Sequence, residues 1–183
     1  MDDSWLRRPE AGLELGALVE RRAGRTPWQA WTWTPVAVGP AQGERAAWSL
    51  LREAGGTGLF YAGRLPFLLH RKETPAYLEN LSGARPAAYV VLAPDEGDVP
   101  WRLALLTASP WEAQAWMESG DNVVEGVPLP GGLRRLIERF VELHHVDEPF
   151  QKRRRTPHFG DDGTPFARPP GWRAGGQDGD DDG

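Results

Sequence analysis

The chain has 183 residues, a net charge of −5 and no cysteine, a length that fits one domain with terminal extensions. The lack of cysteine excludes disulfides, thiolate zinc sites, iron–sulfur ligation, persulfide carriage and cysteine nucleophiles. The negative charge lies before Pro149, because basic and acidic residues cancel beyond it, and a nucleic-acid-binding body is expected to show the opposite sign.

Both ends of the chain differ in composition from its middle. Residues 1–11 are expected to form a loose arm, and 157–183, rich in Gly, Pro and Asp, to be a disordered tail. A single domain is therefore expected over 12–156. The start of the chain has no apolar signal segment, and no apolar run has membrane-spanning length. We expect a cytoplasmic protein that does not enter a membrane.

The first half of the domain has strand patterns. Leu13–Arg22 alternates, and a turn at "GRTP" leads to "WQAWTWTPVAV", rich in aromatic and β-branched residues. Pro35 within this segment requires an edge strand or a bulge. Trp48–Glu53 fits a helix or a strand, but the Gly-rich "AGGTG" and the strand-like "LFYAGRLPFLLHR" that follow favour a β-hairpin.

The second half combines a hairpin with three helices. "AAYVVLA" and "WRLALLTA" flank an acidic turn and are apolar enough for central strands. Helices are predicted after Thr74-Pro75, after the capping box at Ser109–Glu112, and over the amphipathic "PGGLRRLIERFVELHH". The sum is an α+β domain with a mainly antiparallel sheet and the C-terminal helix packed on it.

The tryptophans at Trp28, Trp31 and Trp33 allow two interpretations. On a strand, Trp31 and Trp33 share a face and Trp28 has the other parity, with Arg21, Arg22 and Arg25 close in sequence. They could form a stacking platform for bases or flat ligands. The interpretation we favour is core wall or partner contact, because a buried tryptophan removes about 150–250 Å² from water.

Residue types for catalysis and metal binding are present without a pattern. His70, Glu73, His144 and Asp147 could be assembled into a metal site, but His144 completes the apolar stripe of the last helix. The chain has no nucleophile elbow, no phosphate-binding loop and no dinucleotide-binding glycine motif. We therefore expect a non-enzyme with no metal and no cofactor.

A run of four cations, Lys152, Arg153, Arg154 and Arg155, follows the last helix. It is either a solvated boundary between fold and tail or an electrostatic contact for an acidic partner. The residues that we expect at an interaction surface are Trp28, Trp31, Trp33, His70, Arg71, Glu73, Trp111, Lys152, Arg153, Arg154 and Arg155.

Several segments together resemble a family of uncharacterised bacterial proteins whose genes lie beside those for molybdenum-dependent formate dehydrogenase and its maturation factors. They are "LVERRAGRTPWQAWTWTPVAV", "LLHRKETPAYLENL", "AYVVL", "TASPWEAQAWMESGDNVVEGVPLP" and "FVELHHVDEPFQKRRR". The resemblance covers most of Leu13 to Arg155 and carries no catalytic residues. It implies an accessory protein whose partner is a formate dehydrogenase subunit or maturation factor.

Three functions remain open at this point. The first is a non-catalytic assembly protein that acts by protein–protein interaction. The second is a small-ligand-binding module in which the pterin or guanine of the molybdenum cofactor stacks on Trp31 or Trp33. The third is a metal-dependent enzyme using His70 and His144 or His145. A cleft lined by tryptophan and arginine would favour a ligand, and a flat apolar patch would favour a protein partner.

Overall fold

The computed structural model describes residues 4–26 and 28–146, which form an α+β fold. One antiparallel sheet has the strand order β2-β1-β4-β3 and the other β6-β5-β7. The strands are β1 (Glu10–Ala23), β2 (Trp31–Pro40), β3 (Ser49–Ala54), β4 (Thr57–His70), β5 (Ala87–Pro94), β6 (Trp101–Thr107) and β7 (Val123–Pro128). The α-helices are α1 (Thr74–Ser82), α2 (Pro110–Met117) and α3 (Gly131–His144). The predicted fold class is confirmed.

The β2 strand meets both conditions that Pro35 imposes. It lies at an edge of the four-stranded sheet, and its pairing with β1 shifts between Leu18 opposite Ala37 and Val19 opposite Pro35. The shift leaves Val36 as an extra residue, which is a β-bulge. The sequence therefore encodes the irregularity through the missing N–H of proline.

The ambiguous segment Trp48–Glu53 is a strand for most of its length. β3 pairs with β4 around Gly55 and Gly56, whose φ angles are +57° and +75°. Two consecutive positive φ angles favour the tight hairpin turn whose twist matches that of the strands. The hairpin interpretation is confirmed.

The second predicted hairpin is also confirmed, with β5 paired to β6. The expectation that both of its strands are central was wrong for β6, which is an edge strand of its sheet. The other neighbour of β5 is β7, which the sequence did not predict. β7 has only six residues and includes Glu125 and Gly126, so its apolar pattern is too short to stand out.

The helix starts follow the predicted positions with changes in the caps. Ser109 caps α2 by accepting the backbone N–H of Glu112. The Glu112 carboxylate does not return to the Ser109 amide. It accepts from the Thr107 hydroxyl, whose oxygen accepts the Ser109 N–H. In α1 the capping position is Glu73, and the Thr74 hydroxyl donates to the carbonyl of Arg71 instead.

Residues 4–11 differ from the loose arm that was expected. A short 3-10 helix, Ser4–Arg7, buries Leu6, and β1 already begins at Glu10. The Leu6 carbonyl lies 2.7 Å from Nε2 of His144 at the end of α3. Buried Leu6 and partly buried Trp5 both pack on the core and anchor this segment. The predicted tail, 157–183, lies outside the described residues.

The core lies between the two sheets and the helices. β4 runs beside β6, and β2 beside β7. Side chains from both sheets and from α1 and α3 share one apolar cluster. Its largest fully buried members include Tyr61, Tyr77, Phe67, Phe140, Leu69, Leu92, Leu106 and Ile137. No helix among the described residues is long and apolar enough to cross a membrane.

The sheets differ in length. β1 and β4 have 14 residues each, about 45 Å at ~3.3 Å per residue, whereas the 8 residues of β5 reach only about 25 Å. Burial along β1 changes from fully buried Val19 to exposed Ala23, so this end of the longer sheet lies at the edge of the core. The candidate site lies at this end.

Candidate functional site

The end of the four-stranded sheet that holds Arg21 carries a group of large side chains that we call the aromatic face. Its members are Trp31, Trp33, Trp48, Leu50 and Phe60. The pairing of the strands brings them together, since Arg21 of β1 lies opposite Trp33 of β2 and Leu50 of β3 lies opposite Phe60 of β4. The predicted shared side of Trp31 and Trp33 is confirmed, because both rings contact Arg21.

The guanidinium of Arg21 occupies the middle of the aromatic face. Its Cζ lies 4.2 Å from the ring centroid of Trp31, 5.0 Å from Phe60 and 5.8 Å from Trp33. Nη2 is 3.3 Å from Oε1 of Glu53, whereas the buried Nε has no hydrogen-bond partner among the described residues. Cation–π contacts and one carboxylate therefore hold this cation against the rings.

Burial divides the aromatic face into a fixed base and an open edge. Trp33 is 8% exposed and packs on Phe60 at 5.2 Å and edge-on to Trp48 at 5.5 Å between centroids. Trp31 and Leu50 are 45% and 48% exposed. Trp33 is thus core wall, which confirms the favoured interpretation for this residue and removes it as a stacking surface for a ligand.

Trp28 does not belong to β2. It lies in the turn between β1 and β2 and is 94% exposed. The turn is closed by the Gly24 N–H donating to the carbonyl of Ala30. An indole left in water so completely contributes little to folding, so its burial is available to a partner.

Trp48 has φ +60°, the one non-glycine residue in the left-handed region among the described residues. For a bulky side chain this conformation costs on the order of 1–3 kcal/mol and persists only where surrounding contacts impose it. The edge-on contact with Trp33 is such a contact. Trp48 thus lies directly before β3 with its indole against Trp33.

His70, Arg71 and Glu73 form a separate group at the end of β4. Nδ1 of His70 is 3.3 Å from Oε2 of Glu10, and the Arg71 N–H donates to the carbonyl of Pro9. Glu73 accepts the Ser109 hydroxyl at 3.0 Å. These contacts join β4 to the N-terminal segment and to α2, and none of them reaches the aromatic face.

The phenol of Tyr77 lies in the same region. It accepts the backbone N–H of His70 at 3.1 Å. The pKa of Tyr77 is raised to about 12, chiefly by burial and to a smaller extent by the carboxylates of Glu112 and Glu73, while the hydrogen bond from the His70 N–H opposes the rise. The hydroxyl therefore stays protonated wherever the protein is folded at neutral pH.

The remaining candidates lie elsewhere. Trp111 is exposed on α2, and its indole N–H donates to Oε2 of Glu79 at 2.9 Å. Lys152, Arg153, Arg154 and Arg155 lie outside the described residues. Over the described part of the chain, no three His, Asp or Glu side chains are grouped so as to hold a metal ion. His145 contacts the Thr74 hydroxyl, and Asp147 is not described.

A family model described as "Protein of unknown function (DUF3305)" matches residues 14–154. The chain belongs to this family. No curated protein and no solved structure matches the chain. The DUF3305 match includes every residue of the aromatic face and the α-helices α1, α2 and α3, so the surface described above is part of the family domain.

Sequence reasoning found some members of the aromatic face and missed others. Trp31, Trp33 and Arg21 were all considered, because they are close in sequence. Trp48, Leu50 and Phe60 were missed as site residues because they come from β3 and β4, and only strand pairing brings them to β2. The available signal was that Trp48 and Leu50 share one side if their segment is a strand.

Proposed function

We propose that this DUF3305 protein is a non-catalytic accessory protein that binds a partner protein through the aromatic face. The observation that carries the proposal is the half-exposure of Trp31 and Leu50 on either side of the stacked Arg21. A partner that covers these side chains removes apolar surface from water. Trp33 and Phe60 beneath them are already held in the core. Binding would therefore restrict few further side chains and cost little side-chain entropy.

The composition of this surface suits a protein partner better than a flat ligand. Tryptophan and arginine are enriched among the residues that dominate binding energy at protein interfaces. The Arg21 guanidinium already occupies one side of the Trp31 ring at 4.2 Å, so that side is closed to a stacking ligand. Exposed Trp28 and Arg25 in the adjoining turn extend the same surface.

The family resemblance of the sequence indicates which partner to test. We propose a formate dehydrogenase subunit or one of its maturation factors, bound in the cytoplasm. The cations Lys152–Arg155 are a second contact in this proposal, because a basic run steers association with an acidic surface. Sulfur transfer is not part of the role, since the chain has no cysteine.

The test is affinity capture from the native host, followed by affinity measurement with each purified partner. Wild-type protein should recover a formate dehydrogenase subunit or maturation factor. The double variant Trp31→Ala/Leu50→Ala should bind at least ~tenfold more weakly, as expected for loss of one interface anchor. Met117→Ala on α2, an equally exposed apolar residue, is the matched control and should bind like wild type.

Charge reversal at Arg153–Arg155 tests the second contact. We expect slower association and a steeper loss of affinity with salt. Recovery of neither class of partner, or wild-type affinity in the double variant, would refute the proposed function. An unchanged salt dependence would remove only the basic run from the interface.

A further inference from the structure

A cleft of about 460 Å³ opens beside the aromatic face, between the two sheets. We call it the arginine cleft. β3 pairs with β4 only as far as Ser49 opposite Tyr61, so β4 continues from Ala62 to Arg64 without β3 beside it. The cleft is lined by Arg45, Ala47, Trp48, Ala62, Gly63, Arg64, Asp95, Arg102 and Leu103.

Three arginines line this small volume, with one acidic residue, Asp95. Arg64 is held in place, since its Nη1 donates to the carbonyl of Gly43 at 3.1 Å and lies 3.5 Å from Oε2 of Glu14. Within the described ranges, the side chains of Arg45 and Arg102 are not paired with any carboxylate. Asp95 accepts the backbone N–H of Glu96. The lining therefore has a net positive charge in an acidic protein.

Trp48 forms an aromatic wall of the cleft. Its indole meets that of Trp33 in a T-shaped contact with centroids 5.5 Å apart, and the residue also lines the cleft. Its backbone is in the left-handed region, which is unfavourable for tryptophan. A strained residue at a cleft is a reason to look for a function there.

Gly63 allows the floor of the cleft to come close to the loop before β3. It has φ +123°, and a Cβ at this position would lie 3.3 Å from Cβ of Ala47. Only glycine adopts this backbone conformation readily. The cleft thus has a fixed floor, one anchored arginine, two unpaired arginines and an aromatic wall.

We infer that the arginine cleft binds a phosphorylated small molecule with a planar ring. Guanidinium groups donate paired hydrogen bonds to phosphate oxygens and stay charged at every physiological pH. A phosphate between Arg45 and Arg102 would also offset the repulsion between unpaired cations. The ring would lie on Trp48, and the volume is within the range of small-ligand sites. The inference does not rest on the proposed partner binding, although Trp48 belongs to both surfaces.

Calorimetric titration of the full chain with inorganic pyrophosphate and with adenosine 5′-diphosphate tests the inference. Both probes should bind saturably and more weakly as salt rises. The double variant Arg45→Gln/Arg102→Gln should bind both at least ~100-fold more weakly, about tenfold for each charge-assisted contact. Arg135→Gln on the exposed side of α3 is the matched control and should bind like wild type.

The ring contact has its own readout. Adenosine 5′-diphosphate should bind at least ~tenfold more tightly than pyrophosphate and quench tryptophan fluorescence, and Trp48→Leu should remove this difference. Equal affinities for the two probes in wild type would overturn the ring contact. If Trp48→Leu does not fold, the comparison of the two probes in the wild-type protein still decides whether the ring of the ligand contributes to binding.

Three outcomes would overturn the site itself. They are the absence of saturable binding of either probe, wild-type affinity in the double glutamine variant, and an equal loss of affinity in Arg135→Gln. If the double variant does not fold, Arg102→Lys takes its place. It keeps the charge and loses the paired geometry, so we expect binding about tenfold weaker, and unchanged binding would overturn the site.

Discussion

Trp31 and Trp33 lie two residues apart on one strand face but differ in exposure by more than fivefold. Trp33→Ala should lower the free energy of unfolding by about 3–5 kcal/mol, because it removes a buried ring that packs on Phe60 and Trp48. Trp31→Ala should cost only about 1 kcal/mol, mainly its contact with Arg21. Urea unfolding followed by far-UV circular dichroism measures both, and equal losses would contradict this division.

The raised pKa of Tyr77 makes the free energy of unfolding fall at alkaline pH. The phenol has a pKa of about 12 when folded and 10.0 in a model compound. Below pH 10 both states keep the proton and stability is complete. Between pH 10 and 12 the unfolded chain releases the proton and the folded chain retains it, so the free energy of unfolding falls by about 2–3 kcal/mol.

The variant Tyr77→Phe isolates this contribution from other groups that titrate in the same window. Its stability should fall less than that of wild type between pH 10 and 12, by about the same 2–3 kcal/mol. Denaturant unfolding at several pH values measures the difference. Parallel pH profiles for the two proteins would show that burial of Tyr77 does not couple to its ionisation.

At the scale of single residues, parity in the sequence predicted which side chains share a face. It could not predict exposure, because one sheet face runs from the core at Val19 to the uncovered end at Trp31. Where that change occurs depends on how far the second sheet reaches. The left-handed backbone of Trp48 could not be predicted either, because no local sequence pattern indicates a positive φ angle at tryptophan.

At the scale of elements, the sequence predicted the helices and hairpins whose formation depends on residues close to one another in the chain. The hairpin at Gly55-Gly56, the cap at Ser109 and the stripe of α3 are all local patterns. β7 was not predicted, because six residues have little pattern of their own and pair with β5, more than 30 positions earlier. Sheet order and the edge position of β6 depend on the same distant pairings.

One side chain joins three elements and carries a prediction of its own. Asn80 of α1 donates from Nδ2 to the carbonyls of Ala87 and Ala108, both at 2.8 Å, and accepts the Ala87 N–H at 3.0 Å. Asn80→Ala would leave these backbone groups without partners in a buried place. We expect a loss of about 3 kcal/mol or more in the free energy of unfolding.

Asn122→Ala is the matched control for Asn80→Ala. Its amide also donates twice, to the Trp116 carbonyl and to the Ser119 hydroxyl, but near the surface. Water can replace those bonds, so we expect a loss below about 1 kcal/mol in the same denaturant experiment. Similar losses for the two variants would show that Asn80 does not hold α1 to the second sheet.

At the scale of the whole molecule, both sheets, α1 and α3 share one apolar cluster, so the domain described over 4–146 should unfold in one cooperative step. Leu6 lies at the opposite end of the chain from α3 and is 3% exposed. Leu6→Ala should therefore lower the free energy of unfolding by about 2–5 kcal/mol. Leu50→Ala, half-exposed on β3, should cost far less.

Two spectroscopic signals of the Leu6→Ala variant test whether the domain unfolds in one step. Tryptophan fluorescence reports on the nine tryptophans of the chain, of which Trp31, Trp33 and Trp48 belong to the aromatic face, whereas far-UV circular dichroism reports on all helices and strands. Because the N-terminal segment, α3 and the sheets bury their side chains in one core, both signals should shift to the same lower midpoint of denaturation. Different midpoints for the two signals would mean that the domain does not unfold in one step.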